Sequence, residues 1–267
     1  MEIPFYKFDG AGNDFVVIDN REGRYHLTEE QVALLCHRRF GVGADGLMTL
    51  DAAPEGFDFE MHYYNSDGRL GSMCGNGGRC IAAFAHFLNL STLHSPLSTH
   101  YRFLGYDGPH EAEVLMWDGH VGIVRLGMRS VAADEVKRVA DGWFLDTGSP
   151  HYVQRVEDLE HYDVVGEGRR LRHRTDLFPE GANIDFVEDL PDGRLAVRTY
   201  ERGVEDETWA CGTGVTACAI VSGNHRLVAR GGDFRVDFEA TGTTYDKITL
   251  TGPVSLNFTG TWTFSAQ

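Results

Sequence analysis

Two cysteines in this 267-residue chain sit in near-copies of one short motif. "MCGNGGRC" occupies residues 73–80 and "ACGTGVTAC" residues 210–218. In each, a cysteine is followed by Gly-polar-Gly and then by a small, apolar run. "IAAFAHFL" after Cys74 and "VTACAIV" after Cys211 are apolar on nearly all sides, the pattern of a buried helix. Cys74 and Cys211 then stand at helix N-termini, where backbone N–H groups are unpaired and about half a positive charge accumulates. Glycines there let an anion approach the amides. The same field can bring a cysteine pKa from ~8.5 into the range of roughly 3.5–7.5. Each motif therefore offers an anion cradle beside a prospective thiolate. Two of them facing each other would grip one carboxylate and place a sulfur on each side of its α-carbon. One thiolate would remove the α-proton and the opposite thiol would return one to the other face, which is two-base epimerisation.

The elements that must position these thiols are written twice. "GNDFVV" (12–17) resembles "GSPHYV" (148–153) at an offset of 136 residues, and "GADGL" (43–47) resembles "GANID" (181–185) at 138. The two cysteines are 137 apart. Three blocks in one order at one spacing indicate duplication of a unit of about 130 residues, with a seam near 125–140. "TEEQVALLCHRRF" (28–40) opens with a capping box, Thr28 with Gln31 three residues on, and is expected to be helical. Strand patterns recur in "FVVID" (15–19), "FEMHYY" (59–64), "VGIVRL" (121–126), "IDFVED" (184–189), "LAVRTY" (195–200) and "VSLNF" (254–258). Strands outnumber helices, so the expected class is α+β. Each of two like-folded halves would wrap a strand-rich sheet around one central helix, with the active site in the cleft between them.

Composition narrows the function. A net charge of −16 argues against a nucleic-acid partner. The one basic cluster, Arg169, Arg170, Arg172, His173 and Arg174, reads as a solvated face. No run approaches the ~18 apolar residues of a membrane span, and "MEIPFYKFDG" lacks the features of a signal peptide, so a cytoplasmic enzyme without a membrane partner is expected. Five cysteines fit free thiols in a reducing compartment. Cys36, Cys80 and Cys218 are expected to be structural. The spacings C-x₅-C and C-x₆-C do not suit a four-cysteine zinc site. A Cys/His hydrolase using His151 would leave the duplicated thiols unexplained. "GVGADG" (41–46) follows a helix and precedes a strand-like run, the reverse of a dinucleotide-binding turn. Only three lysines are present, Lys7, Lys137 and Lys247, none in a phosphate-cradling context, so no pyridoxal site is expected. No metal motif such as H-E-x-x-H occurs. The expectation is no cofactor and no metal.

Over essentially its full length the chain resembles the diaminopimelate epimerases, the pyridoxal-independent enzymes that interconvert LL- and meso-diaminopimelate. The resemblance runs through "FDGAGNDFVV", "FGVGADGL", "YNSDG", "CGNGGRC", "GSPHYV", "GANIDFV", "ERGVEDETWACGTG" and "TGPV". It implies two like-folded halves, 1–126 and 127–253, with residues 254–267 returning to the first. It makes Cys74 and Cys211 the acid–base pair, with His151 and Glu201 tuning the thiols. Gly75 and Asn76, with Gly212 and Thr213, would hold the reacting carboxylate through backbone amides. Asn13, Asn65, Ser149, Asn183, Glu201 and Arg202 would line the rest of the pocket, Arg202 taking the distal carboxylate in a bidentate grip. Two positions depart from the family pattern: Ser149 stands where many members have asparagine, and Gly46 where some have glutamine. The implied partner is the small-molecule substrate, and a homodimer is left open. A proline-type racemase or a related isomerase is the alternative.

Overall fold

The computed structural model describes residues 2–71, 74–90 and 99–264. The chain divides into two compact units, one made of Met1–Leu126 and Pro253–Gln267, the other of Gly127–Gly252. Of the segment returning to the first unit, residues 265–267 lie outside the described residues.

In the first unit, strands Glu2–Gly10 and Asn13–Asp19 form an antiparallel hairpin, and Asn13–Asp19 then pairs in parallel with Gly46–Asp51. The pairing runs on, antiparallel to Phe59–Asn65, parallel to His100–Gly105, and antiparallel to Gly108–Trp117 and Val121–Gly127. Thr244–Thr263 pairs with Val121–Gly127 and, from Ser255 onward, with Glu2–Gly10. These pairings close a ring. Each parallel pair needs a crossover, and helices fill both: α1 (Glu29–Cys36) and α2 (Gly75–Phe87). All residues of α2 from Gly75 to Ala85 are buried. Phe84 packs at 4.7 Å from Tyr6 and 5.8 Å from Phe8, ring centre to ring centre.

The second unit repeats the pattern. Gly142–Asp146 pairs antiparallel with Pro150–Arg155, which runs parallel to Asn183–Asp189. Antiparallel Leu195–Glu201, parallel Arg226–Ala229, antiparallel Gly232–Ala240 and the start of Thr244–Thr263 follow in turn. The order of parallel and antiparallel pairings matches the first unit step for step. Here α3 (Val164–Arg172) and α4 (Gly212–Ser222) fill the crossovers. In α4 every residue from Gly214 to Ile220 is buried, as expected of a helix without a polar face. Gly223 closes it with φ +71°, the left-handed turn that glycine adopts without strain.

The strands follow their expected bounds within about two residues, except that "VSLNF" is the middle of a 20-residue strand. Helix α1 has the expected capping box but ends at Cys36, four residues short of Phe40. His37 is extended (φ −69°, ψ 118°), and its Nδ1 accepts from the backbone N–H groups of Arg39 and Phe40 at 3.1 Å, which replaces the helical ladder with a turn. "GVGADG" is that turn's continuation into strand Gly46–Asp51. The basic cluster at the end of α3 is exposed apart from Arg172, which is half-buried beside Glu205.

Candidate active site

Each unit places its cysteine at the N-cap of its central helix. Cys74 and Cys211 have nearly equal backbone angles (φ −108°, ψ 121° and φ −115°, ψ 112°), and neither side chain caps its helix. Both carbonyls instead accept the first helical bond, from Gly78 at 2.8 Å and Val215 at 2.9 Å. The thiols are thereby left to other partners.

In the first unit, Cys74 Sγ lies 3.6 Å from Asn13 Oδ1, which also accepts from Asn76 Nδ2 at 3.3 Å. Asn13 is oriented in turn by donating to Asp45 Oδ2 at 2.8 Å. Asn76 is buried, and its Oδ1 accepts from the fully buried Arg79 at 2.9 Å. Asn65 ends strand Phe59–Asn65, exposed, with its carbonyl closing a turn to Gly68. At Gly46 a Cβ would stand 2.5 Å from the Tyr63 ring and 2.7 Å from the Tyr64 carbonyl. Tyr63 occupies the space that a glutamine would need, which accounts for the glycine.

In the second unit, Cys211 is 7% exposed and its Sγ lies 3.4 Å from Thr213 Oγ1. Thr213 Oγ1 is 2.9 Å from Nε2 of His151, a fully buried histidine. Asn183 donates to Ser149 Oγ at 2.9 Å and to the Pro150 carbonyl at 3.0 Å, while its Oδ1 accepts from the Arg202 N–H at 2.8 Å. Ser149 is therefore tied to Asn183 despite its short side chain. Glu201 accepts from Thr208 at 2.9 Å, and the Arg202 guanidinium rests on the Glu180 carbonyl at 3.2 Å. Thr147 fixes the Thr213 carbonyl at 2.8 Å.

The electrostatics of Cys211 differ from the expectation for a helix N-terminus. Burial pushes its thiol well above the usual range, and the charges of Glu201 and Asp185 push the same way; the contacts from Thr213 and the Gly214 N–H oppose them without prevailing. Cys211 therefore rests as a protonated thiol, not a thiolate. Cys36, Cys80 and Cys218 are buried, and desolvation raises all three, Cys36 to about 12, as suits inert core thiols. Among the described residues, no group of three or more His, Cys, Asp or Glu is placed to hold a metal. No helix among them is long and apolar enough to cross a membrane.

The family model for diaminopimelate epimerase matches residues 5–101 and 143–249, which include both cysteine motifs. The chain belongs to the diaminopimelate epimerase family. Its similarity to members is extensive: 48% identity over 216 residues with the diaminopimelate epimerase of Chlorobaculum tepidum, covering 80% of each chain. With that of Flavobacterium psychrophilum it is 42% over 265 residues, covering 95% of this chain and 97% of the other. Among solved structures, a probable proline racemase from Agrobacterium radiobacter superposes with a TM-score of 0.72 at 15% identity, over 99% of this chain and 93% of that one. A hydroxyproline epimerase from Agrobacterium vitis gives 0.67 at 16%, over 97% and 92%. At such identities these neighbours attest the fold alone.

One residue that matters to the site is absent from the sequence-based set: Asp185, whose Oδ2 is 2.7 Å from His151 Nδ1 and whose Oδ1 accepts from Thr199 at 2.7 Å. A signal existed. In the repeated blocks His151 falls opposite Phe15 and Asp185 opposite Leu47, one residue before Met48, its counterpart by strand pairing; in either match both are polar where the first copy is apolar.

Proposed function

We propose that this protein interconverts LL- and meso-diaminopimelate without a cofactor, with Cys74 and Cys211 acting from opposite faces of one α-carbon. What supports this most is the duplication itself: one thiol at the same N-cap position of the same buried helix in each unit. A racemising enzyme needs an acid and a base of matched strength, one per face, and two thiols from a duplicated unit supply them. In each turnover one sulfur, as thiolate, takes the α-hydrogen as a proton, and the electron pair of the broken C–H bond is delocalised into the carboxylate. The opposite S–H bond then breaks as the new C–H bond forms, and the two sulfurs exchange protonation states. The protonated Cys211 suits the role of acid in the resting enzyme.

The backbone amides of Gly75, Asn76, Gly212 and Thr213 would hold the reacting carboxylate, whose developing negative charge the two helix ends favour. Asn13, Asn65, Ser149, Asn183, Glu201 and Arg202 would bind the remaining groups of the substrate, with Arg202 on the distal carboxylate. The enzyme would work in the cytoplasm, on the route to lysine and peptidoglycan precursors. The fold likeness to proline racemase offers a second substrate class, but "ERG" with Arg202 suits a substrate with a second charged end.

The test is exchange of the α-proton of LL-diaminopimelate in deuterated water, followed by NMR, for the parent and for Cys74→Ala and Cys211→Ala. Each variant should lose epimerisation, because each lacks the only acid or base on one face. Full activity in either variant would end the two-thiol assignment.

A further inference from the structure

The surroundings of the two thiols are not copies of one another. Gly77 and Gly214 are the third residue after each cysteine, and the neighbours of each show which side chains occupy equivalent places. A Cβ on Gly77 would lie 3.1 Å from Met48 Sδ and 3.8 Å from the Phe15 ring; a Cβ on Gly214 would lie 2.5 Å from Asp185 Oδ1 and 3.2 Å from His151 Cε1. Strand pairing gives the same correspondence, since Met48 opposes Tyr63 and Asp185 opposes Thr199. Behind the first helix start stand a thioether and a phenyl ring. Behind the second stand a carboxylate and an imidazole, both fully buried.

The directions of the hydrogen bonds can be assigned. Thr199 Oγ1 donates to Asp185 Oδ1, and Asp185 Oδ2 is the acceptor that faces His151 Nδ1. With its ring hydrogen on Nδ1, facing the carboxylate, His151 presents Nε2 as the acceptor, and Thr213 donates its hydroxyl hydrogen there at 2.9 Å. The Thr213 oxygen then has lone pairs to offer Cys211, 3.4 Å away, and accepts from the S–H group. Every hydrogen in the chain Cys211–Thr213–His151–Asp185 points away from the sulfur.

We infer that Asp185 is a positioning residue for the Cys211 half of the reaction: by holding His151 in its Nδ1–H form, it orients the Thr213 hydroxyl so that Cys211 is kept as the thiol in the resting enzyme. The inference rests on the two-thiol function proposed above. When Cys211 gives its proton to the α-carbon, no proton leaves the chain behind it. The Thr213 hydroxyl turns from His151 Nε2 to the new thiolate, and Asn183 Nδ2, 3.4 Å from Nε2, exchanges its bond to Ser149 Oγ for the vacated acceptor. The S–H bond lost is matched by the C–H bond gained. Phe15 and Met48 stand in the place of this chain behind Cys74, whose Sγ faces Asn13 Oδ1 at 3.6 Å instead.

The experiment uses the full chain with ¹⁵N-labelled histidine. In the parent, the His151 ring should show its hydrogen on Nδ1. Asp185→Asn puts an amide N–H against Nδ1, which should drive the hydrogen to Nε2 and reverse the chain. Losing a charge-assisted bond of this kind should lower kcat about 10- to 100-fold, with KM within about threefold. Thr199→Val disturbs the same buried spot but leaves Asp185 on His151, so the tautomer and kcat should stay within a few-fold of the parent. Thr213→Val should lower kcat as Asp185→Asn does while leaving the tautomer unchanged, and it carries the test if Asp185→Asn does not fold. The double variant should be no slower than the slower single one. Parental kcat in Asp185→Asn with the tautomer reversed, or an equal loss in Thr199→Val, would overturn the inference. Should Cys211→Ala be inactive and Asp185→Asn fully active, only this inference falls; an active Cys211→Ala removes the function beneath it.

Discussion

Alanine at Gly214 and at Gly77 makes a matched pair of perturbations, because the two glycines hold the same helical position in the two units. Both substitutions should gain up to about 1 kcal/mol from helix propensity. At Gly77 the new methyl meets Met48 Sδ at 3.1 Å, and a thioether with three rotatable bonds gives way at a cost of about 1 kcal/mol. The net effect there should be close to zero. At Gly214 the methyl meets Asp185 Oδ1 at 2.5 Å, and that oxygen cannot withdraw freely, since Thr199 and His151 hold the carboxylate at 2.7 Å on either side. Moving it weakens a charge-assisted bond worth about 1.5–3 kcal/mol, and the crowding adds roughly 1–3 kcal/mol. After the propensity gain, Gly214→Ala should be destabilised by about 1.5–5 kcal/mol, or roughly 3–20 °C in Tm. Thermal melts followed by circular dichroism, with urea titrations in parallel, read both values. Equal melting temperatures for the two variants, or a larger drop for Gly77→Ala, would refute the idea that a rigid polar pair backs only the second helix start.

Burial alone would raise the carboxyl of Asp14, but hydrogen bonds and charges from Arg38 and Lys7 prevail and bring it down to about 2. A depressed carboxyl stabilises the fold above its unfolded pKa near 4 and loses that contribution as pH falls toward 2. Asp14→Asn should therefore cost about 1–2 kcal/mol at pH 7, allowing for screening, and flatten the loss of stability between pH 4 and 2 in acid titrations followed by fluorescence. For Arg202, removal of a charge-assisted contact to a distal carboxylate should cost about 1.5–3 kcal/mol, so Arg202→Met should lose roughly ten- to a hundredfold in kcat/KM on diaminopimelate. The parent should turn over lysine very poorly, and comparable rates on the two substrates would show that Arg202 does not read that carboxylate.

The repeat was legible because glycine turns and cysteine N-caps are local demands of the backbone, and they fall at nearly the same spacing in both halves. Strand bounds were legible from β-branched and aromatic alternation, as in "FEMHYY" and "LAVRTY". The end of α1 was not. Nothing in the periodicity of "CHRRF" marks the His37 ring as the acceptor for two backbone N–H groups, which is a tertiary arrangement of a local side chain. Asp185 was missed for a different cause. It lies in an apolar strand where an acid is costly unless paired, and its partners His151 and Thr199 come from two other strands. The depressed thiol pKa expected at a helix start also did not follow at Cys211, because the motif encodes the helix end but not the burial or the two carboxylates around it.

Strand Thr244–Thr263 has a consequence for how the chain is made. Glu2 pairs with Thr263 and Asp9 with Ser255, so strand Glu2–Gly10 finds one of its two neighbours only 246 to 261 residues further along the chain. At the usual 5–20 residues per second, roughly 10–50 s of synthesis separates them. Throughout that interval the second unit can collect nearly all its strands in order, whereas the first remains a ring with one stave missing. Ile3 and Phe5, both buried in the finished protein, sit on the strand at that gap. An open edge of this kind invites pairing with other nascent chains. The burden on cellular holding factors therefore falls on the half that is translated first, and maturation of this enzyme runs against the direction of its own synthesis.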